Sequence, residues 1–266
     1  MYNDFMNKEY PVVFIDLDNT FYDHENHVVP KKHIDAIRQL KQKGFKVCTC
    51  TGRPMNLVEE LNILDLIEWD GHVTGNGSFV YDKDCHLIHQ ETISETSAQA
   101  IFDFAKEHQL SVMGMGTVFI VTQLDQVQKD IIDFFHFKNI EEREPVQSDT
   151  FSNLVLGYSQ DTKEKLEKAN IDGIVPVYMP HCIDIKRAGI SKYQGIKVLM
   201  DTFGYGHHDY LAFGDSYIDL EMLENAKMGV VMDNGDPRLK EKIDLIAPAC
   251  SKAGLYTYLK QHHFID

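Results

Sequence analysis

The chain has 266 residues, of which 43% are hydrophobic and 25% charged, a balance typical of a globular protein with one large domain or two smaller ones. Its formal net charge of −15 argues against nucleic acid or an anionic membrane as the main partner, because both need a basic surface. No apolar run is long enough to cross a bilayer, and the first five residues lack the order of a signal peptide. Five cysteines without the spacing of a disulfide framework agree with the cytoplasmic location that we therefore expect.

Apolar runs and amphipathic segments alternate in the first part of the chain. The apolar runs at 12–16, 45–50 and 72–74 predict buried strands, and the periodic apolar spacing at 30–40 and 55–64 predicts helices between them. A strand-helix-strand-helix-strand order of this kind implies a parallel sheet with right-handed crossovers.

The pattern changes after residue 77. Apolar runs at 78–82 and 86–90 flank a turn and predict a hairpin. The stretch that follows mixes helices with short strands, which is typical of an α+β unit. We predict its helices at 94–108, 124–137 and 163–169 and its strands at 112–115, 118–122, 153–158, 175–179 and 182–186.

The alternation of helices and strands returns after Gly189. We predict helices at 192–201, 217–223, 237–242 and 253–260 and strands at 210–213, 228–232 and 245–247. The chain is thus predicted to form an α/β core from residues 1–82 and 188–266, interrupted by an α+β domain at 83–187.

The first predicted strand ends at two carboxylates and a hydroxyl, Asp16, Asp18 and Thr20. In an open α/β sheet, ligands bind at the carboxyl ends of the strands. Of two acids placed there, one could serve as metal ligand and nucleophile and the other as proton donor. The same residue types also begin turns for local reasons, so this motif by itself leaves both interpretations open.

Two further polar segments begin predicted helices. Thr51-Gly52-Arg53-Pro54 offers a hydroxyl and backbone N–H groups to an anion, although it is equally typical of a helix cap. Lys192 stands at a helix start, where the macrodipole disfavours a cation. It is therefore either a solvated lysine or one retained for function.

Asp215 and Asp219 follow a third apolar strand at a strand-to-helix turn. Oxygen-rich sites suit Mg²⁺, which keeps several waters and pairs with substrate phosphate, although the helix dipole alone would favour Asp219. Together the carboxylates could hold a hard cation, while Thr51, Lys192 and backbone N–H groups hold a phosphoryl group. These groups together are the ones that phosphoryl transfer requires.

With these four segments in this order, the chain resembles the haloacid dehalogenase superfamily of phosphohydrolases, in particular its Cof-type members with an inserted α/β cap. The resemblance spans nearly the whole sequence and implies a Rossmann-like, mainly parallel core. It implies that Asp16 attacks phosphorus and forms an aspartyl-phosphate, while Asp18 protonates the leaving alcohol and then deprotonates water. Thr51 and Lys192 would hold the transferring phosphoryl oxygens.

The resemblance also implies Mg²⁺ as the cofactor. The metal ligands that it implies are Asp16, the backbone carbonyl of Asp18, and Asp215, with Asp219 in support. The substrate contacts that we predict are Thr20, Gly52, Arg53 and Asn234. Asn234 also fits a turn residue, because Asn-Gly is a frequent turn pair.

Three residues depart from the family's pattern. Asn19 stands where glycine is usual, so the backbone there would be less free. Ile218 replaces an asparagine before the last carboxylate and removes a polar group near the metal. Phe21 is bulkier than the common leucine and would narrow the entrance to the site.

We therefore expect a Mg²⁺-dependent phosphatase of small monoesters, such as sugar phosphates or phosphorylated cofactors, acting as a monomer or weak homodimer. The metal would let an acidic protein accept an anionic metabolite. A phosphomutase or phosphotransferase of sugar phosphates and a non-catalytic sensor of a phosphorylated metabolite remain alternatives. Release of free phosphate would separate the phosphatase from the mutase. Retention of both Asp16 and Asp18 argues against the sensor, because a binding protein does not need the proton donor.

Overall fold

The computed structural model of the protein describes residues 9–179 and 181–266, so the N-terminal segment considered for a signal peptide lies outside it. Within these residues, no helix combines the length and the apolar character needed to cross a membrane.

The chain divides into two compact units. The first comprises the residues up to Gly52, Asn62–Gln90 and Ser191–Asp266, and the second comprises Arg53–Leu61 and Glu91–Ile190.

The strands follow one another along the whole described chain. In order they are β1 (Val12–Ile15), β2 (Lys46–Cys50), β3 (Gly71–Thr74), β4 (Phe79–Asp82), β5 (Leu87–Gln90), β6 (Val112–Gly116), β7 (Phe119–Val121), β8 (Glu141–Glu142), β9 (Phe151–Gly157), β10 (Ile174–Tyr178), β11 (Cys182–Arg187), β12 (Tyr210–Gly214), β13 (Met228–Met232) and β14 (Ile246–Ala247).

The α-helices lie between these strands, together with short 3₁₀ turns. They are α1 (Lys31–Gln42), α2 (Met55–Glu59), α3 (Glu95–Glu107), α4 (Gln126–Phe135), α5 (Gln160–Ala169), α6 (Lys192–Phe203), α7 (Leu220–Glu224), α8 (Pro237–Lys240) and α9 (Gly254–Gln261). The 3₁₀ turns are Leu64–Leu66, Gly75–Gly77, Tyr217–Asp219 and Cys250–Lys252.

The first unit is built on an eight-stranded sheet in the order β14-β13-β12-β1-β2-β3-β4-β5. The strands from β14 to β3 are parallel, and β4 and β5 add an antiparallel edge. In the register, Ile15 of β1 lies between Phe213 of β12 and Thr49 of β2. The strand order reverses at β1, and such a switch point forms a crevice at the carboxyl ends of the strands.

The central strand of this sheet is buried on both of its faces. All four residues of β1 are fully buried, which is expected of a parallel strand covered by helices on either side. This explains why the strand reads as a continuous apolar run in the sequence rather than as an alternation of polar and apolar residues.

The second unit contains a six-stranded sheet in the order β10-β11-β9-β6-β7-β8. Its neighbouring strands are antiparallel except for β7 and β8. Ile101 of α3 packs in one apolar cluster with Leu154 of β9 and Ile185 of β11. The predicted fold class, a mainly parallel α/β core with an α+β insertion, is therefore confirmed.

Some element boundaries differ from the prediction. The helix predicted at 55–64 ends at Glu59, because Asn62 adopts a left-handed conformation with a φ of 52°. The first sheet extends through β5, beyond the boundary predicted at residue 82, because β5 pairs with β4. The helix predicted at 217–223 begins as a 3₁₀ turn before it continues as α7.

Candidate active site

Asp16 and Lys192 form a buried ion pair at the carboxyl end of β1. Asp16 follows this strand directly and its main-chain N–H donates to the carbonyl of Phe213, 3.0 Å away. Its side chain accepts a hydrogen bond from Nζ of Lys192, the first residue of α6, at 2.6 Å. The carboxylate thus compensates the unfavourable position of a cation at a helix start.

Asp219 contacts the same lysine and also holds the turn after β12. Its Oδ1 accepts from Lys192 Nζ at 2.5 Å, and its Oδ2 accepts the main-chain N–H groups of Asp215 and Ser216 at 3.0 and 2.9 Å. Gly214 allows this close approach, since a Cβ atom there would lie 2.6 Å from Asp219 Oδ2. Asp219 therefore positions both Lys192 and the turn that carries Asp215.

The acids at this strand end form a cluster suited to a metal ion. Carboxylate oxygens of Asp16, Asp215 and Asp219 lie within 4.8 Å of one another. Lys192 brings one positive charge to these three carboxylates, so an excess of negative charge remains when all three are ionised. An all-oxygen donor set with this charge fits a hard divalent cation.

The surroundings of these groups shift their pKa values. Burial raises the pKa of Asp16 to about 7. The carboxylate of Asp219 also raises this pKa, whereas the positive charge of Lys192 lowers it. Burial and the neighbouring carboxylates of Asp16 and Asp219 raise the pKa of Asp215 well above its usual range. Burial alone would lower the pKa of Lys192, but Asp16 and Asp219 outweigh it and raise that pKa. The lysine is therefore charged, and a cation would favour the ionised acids.

The turn after β1 places Thr20 and Asp18 next to different partners. Oγ1 of Thr20 lies 3.5 Å from Oδ1 of Asp215. Oδ1 of Asp18 lies 2.5 Å from Nε2 of His24, a residue that no pattern in the sequence indicates. Asn19 between them has a φ of 57°, a left-handed conformation that asparagine accommodates better than most residues other than glycine.

Phe21 does not narrow an entrance as we expected. Its side chain is fully buried, and its ring packs edge-on against Trp69 with 5.3 Å between the ring centroids. The extra bulk compared with leucine therefore fills the apolar core of the first unit. Ile218, the other apolar departure, donates its main-chain N–H to Ser216 Oγ at 3.5 Å, and the turn before α7 forms without the usual asparagine.

Thr51 and Gly52 follow β2, the strand next to β1. Thr51 is fully buried, and its carbonyl accepts the N–H of Asn76 at 3.0 Å. A Cβ atom at Gly52 would lie 3.1 Å from Oδ1 of Asn76, which is buried without a hydrogen-bond partner among the described residues. Such an unsatisfied group needs an explanation, so Asn76 is a further candidate for ligand contact. An asparagine between two glycines at a strand end was the signal for it in the sequence.

The contacts that Arg53 and Asn234 make in the structure are with other groups of the protein. Arg53 belongs to the second unit, where its guanidinium carbon lies 4.8 Å from the centroid of the Phe137 ring. Asn234 donates through Nδ2 to the carbonyl of Asn19 at 2.9 Å and accepts the N–H of Cys250 at 2.8 Å. These contacts agree with the turn interpretation of Asn234, and substrate contact by either residue remains a prediction.

Comparison with known proteins identifies the family. A model of the haloacid dehalogenase-like hydrolases matches residues 13–259. The chain belongs to this family. The predicted superfamily and Cof type are thereby confirmed, and so is the predicted enzyme class, a phosphoric monoester hydrolase.

Relatives of this hydrolase align over most of their length. The putative phosphatase YkrA of Bacillus subtilis is 26% identical over 259 residues, which cover 94% of this chain and 96% of YkrA. YcsE of the same organism, named 5-amino-6-(5-phospho-D-ribitylamino)uracil phosphatase, is 25% identical over 245 residues, 88% of each chain. Among solved structures, the phosphatase BT1666 of Bacteroides thetaiotaomicron shares the fold with a TM-score of 0.84, 22% identity and 96% coverage of both chains.

Proposed function

We propose that this hydrolase is a Mg²⁺-dependent phosphatase of small phosphate monoesters that works through an aspartyl-phosphate on Asp16. The observation that carries the proposal is the buried contact of Lys192 with Asp16 and Asp219 at the carboxyl end of β1. A carboxylate held by an ammonium group at a strand switch point is well placed to meet an incoming phosphoryl group.

Asp16 would attack phosphorus through its carboxylate, and the bond from phosphorus to the alcohol oxygen would break. Asp18 would give its proton to the leaving alkoxide. In the second step Asp18 would take a proton from water, which attacks phosphorus, releases inorganic phosphate and restores Asp16. The same side chain thus serves first as acid and then as base.

Other residues of this chain would hold the reacting groups. Lys192 fixes the carboxylate of Asp16 and would place its positive charge beside the phosphoryl oxygens. Thr51 and backbone N–H groups after β2 would bind these oxygens on the neighbouring strand end, with Thr20, Gly52, Arg53 and Asn234 as further substrate contacts.

Mg²⁺ would be held by Asp16, Asp215 and the main-chain carbonyl of Asp18, with Asp219 in support. When bound, the ion would neutralise charge on the acids and on the transferring phosphoryl group. The excess of carboxylates over lysine in this cluster supports a divalent cation at this place.

The names of relatives support small phosphorylated metabolites as substrates. YcsE is named for a phosphoribityl compound, a relative from Citrobacter koseri that is 24% identical is named HMP-PP phosphatase, and the solved protein BT4131 is titled a sugar phosphatase. Sugar phosphates and phosphorylated cofactors are therefore the classes that we propose. The cytoplasmic location and the monomeric or weakly dimeric state stay predictions.

The test is a panel of sugar, nucleotide and cofactor monoesters assayed for free phosphate with Mg²⁺ or with a chelator. We expect turnover only with the metal and a loss of about 1,000-fold or more in Asp16→Asn. Asp35→Asn, which changes an exposed acid of α1, is the matched control and should keep full activity. Formation of an isomerised sugar phosphate without free phosphate would instead indicate a mutase. Binding of a monoester without turnover would indicate a sensor.

A further inference from the structure

His24 is a buried histidine that contacts the side chain of Asp18. Its Nε2 lies 2.5 Å from Oδ1 of Asp18, and the side chains are 6% and 20% exposed, respectively. The two residues are six positions apart and lie in the same turn after β1. Because Asp18 is the acid and base of the proposed reaction, a side chain that holds it bears directly on the chemistry.

The turn that carries His24 is built by its own hydrogen bonds. Asp23 and Val28 exchange main-chain hydrogen bonds of 2.9 and 3.2 Å, and Asp23 Oδ2 accepts from Nδ2 of Asn26 at 2.7 Å. The ring of Tyr22 packs edge-on against the imidazole, with 5.0 Å between the centroids. The position of His24 is therefore set by local structure rather than by a mobile surface contact.

We propose that His24 is a positioning residue that selects which oxygen of Asp18 exchanges protons with the substrate. This inference rests on the proposed function. When Asp18 is ionised its Oδ1 can only accept, so Nε2–H of the imidazole donates this bond. In the acid form the transferable proton lies on Oδ2, and Oδ1 still accepts the same bond. Oδ1 is then occupied, and Oδ2 is the oxygen that gives the proton to the leaving alkoxide and later takes one from water.

Without His24 the carboxyl group of Asp18 loses this restraint. The torsion about the Cβ–Cγ bond of an aspartate is broad, so the group can turn away from the orientation in which Oδ2 faces the substrate. Proton transfer depends on a narrow range of distances to the reacting oxygen, and a misplaced acid loses part of its contribution. His24 thus acts through Asp18 and touches no reacting atom itself.

A positioning role predicts a dependence on the leaving group. Benzyl phosphate releases a strongly basic alkoxide that needs a proton, whereas p-nitrophenyl phosphate releases a weakly basic phenolate that does not. The ratio kcat/KM reports the steps up to release of the alcohol, so it isolates the acid step. We expect His24→Ala to lower kcat/KM about 30-fold for benzyl phosphate and less than about 3-fold for p-nitrophenyl phosphate.

Two further variants separate positioning from a structural effect. His24→Gln brings an amide NH₂ near the place of Nε2–H and should restore kcat/KM for benzyl phosphate to within about 3-fold of the wild type. In an Asp18→Asn background, His24→Ala should cause no further loss, because the amide at position 18 cannot serve as the acid and base that His24 orients. Glu25→Ala, at an exposed position of the same turn, is the control and should leave both substrates unaffected.

The outcomes distinguish this inference from the proposed function. A wild-type protein that releases phosphate from no monoester would overturn the proposed function and the inference with it. An active wild type whose His24→Ala variant loses the same factor on both substrates, or loses as much in the Asp18→Asn background, would overturn the inference alone. Failure of His24→Gln to restore kcat/KM for benzyl phosphate would also contradict it.

Discussion

Lys192 Nζ lies 2.6 Å from an oxygen of Asp16, although 176 positions separate the two residues in the sequence. The lysine begins α6, the aspartate follows β1, and Asp219 approaches the same ammonium group from a third segment. All three side chains are buried. Removing one member of such a buried ionic group leaves another charge uncompensated, which makes the contact a structural as well as a chemical feature.

Replacement of Lys192 should therefore affect both stability and activity. We expect Lys192→Met to lower the free energy of unfolding near neutral pH by about 3 kcal/mol, because two buried carboxylates lose their cation. Phosphatase activity should fall at least about 100-fold. Urea unfolding and initial rates measure the two effects. Lys197→Met, on the same helix but half-buried, should change neither appreciably, and a stable, active Lys192→Met would refute this role.

Asp219 should matter for metal binding through the turn that it holds. Asp219→Ala leaves the main-chain N–H groups of Asp215 and Ser216 without their acceptor, so Asp215 is less well placed. We expect Mg²⁺ affinity, measured by calorimetry, to fall about 10-fold or more, as for other groups that orient metal ligands. Glu221→Ala, at an exposed position of α7, serves as control. Unchanged affinity in Asp219→Ala would show that the turn holds Asp215 without it.

Mg²⁺ should stabilise the protein more at about pH 8 than at about pH 6. The pKa of Asp16 is raised to about 7 and that of Asp215 well above its usual range by burial, so protons compete with the cation at the lower pH. Without metal these raised values mean that the folded state binds more protons than the unfolded chain. Stability is then lost as the pH rises from about 4 through 7, and the cation offsets this loss.

Thermal unfolding with and without MgCl₂ at both pH values measures this effect. The increase in Tm should be about twofold larger at the higher pH, since binding to the folded state alone stabilises it. Asp215→Asn should reduce the increase in Tm caused by MgCl₂ at both pH values. A shift in Tm that is the same at the two pH values would argue against these carboxylates as the metal ligands.

His33 and His72 should make the protein sensitive to acid. Burial lowers the pKa of each to about 4, below the value of 6.5 expected for an unfolded chain. Above pH 6.5 both histidines are neutral in the folded and the unfolded chain, and the free energy of unfolding is unaffected by them. As the pH falls towards 4, protonation of the unfolded chain lowers the free energy of unfolding by roughly 3 kcal/mol for each histidine. His33→Leu should make this decline shallower in urea unfolding, whereas His86→Leu at an exposed position should not. An unchanged pH dependence in His33→Leu would contradict the assignment.

The core of the site could be anticipated because its residues follow strands or begin helices. Asp16 and Asp215 each come directly after apolar runs, and parallel strands bring their carboxyl ends to one edge of the sheet. Lys192 stands out in the sequence because a cation at a helix start contradicts the local preference, and its two carboxylate partners explain that exception.

Contacts made within turns could not be anticipated in this way. Apolar periodicity carries no information on the hydrogen-bond partners of Asp219 and His24. The sequence therefore predicts only a supporting role for Asp219 and does not indicate His24. The helix predicted from 55 to 64 was too long because Ile63 is buried after the left-handed Asn62 rather than as part of a helix. The strand β8 has only two residues, both glutamates, and gives no apolar signal.

Asp16 should carry the phosphoryl group during turnover. The most direct measurement is a rapid acid quench of the enzyme with Mg²⁺ and its best monoester substrate, followed by mass mapping of peptides. We expect one added phosphate on the peptide that contains Asp16, and none in Asp16→Asn. A phosphate on another residue, or steady turnover by Asp16→Asn at close to the wild-type rate, would contradict it.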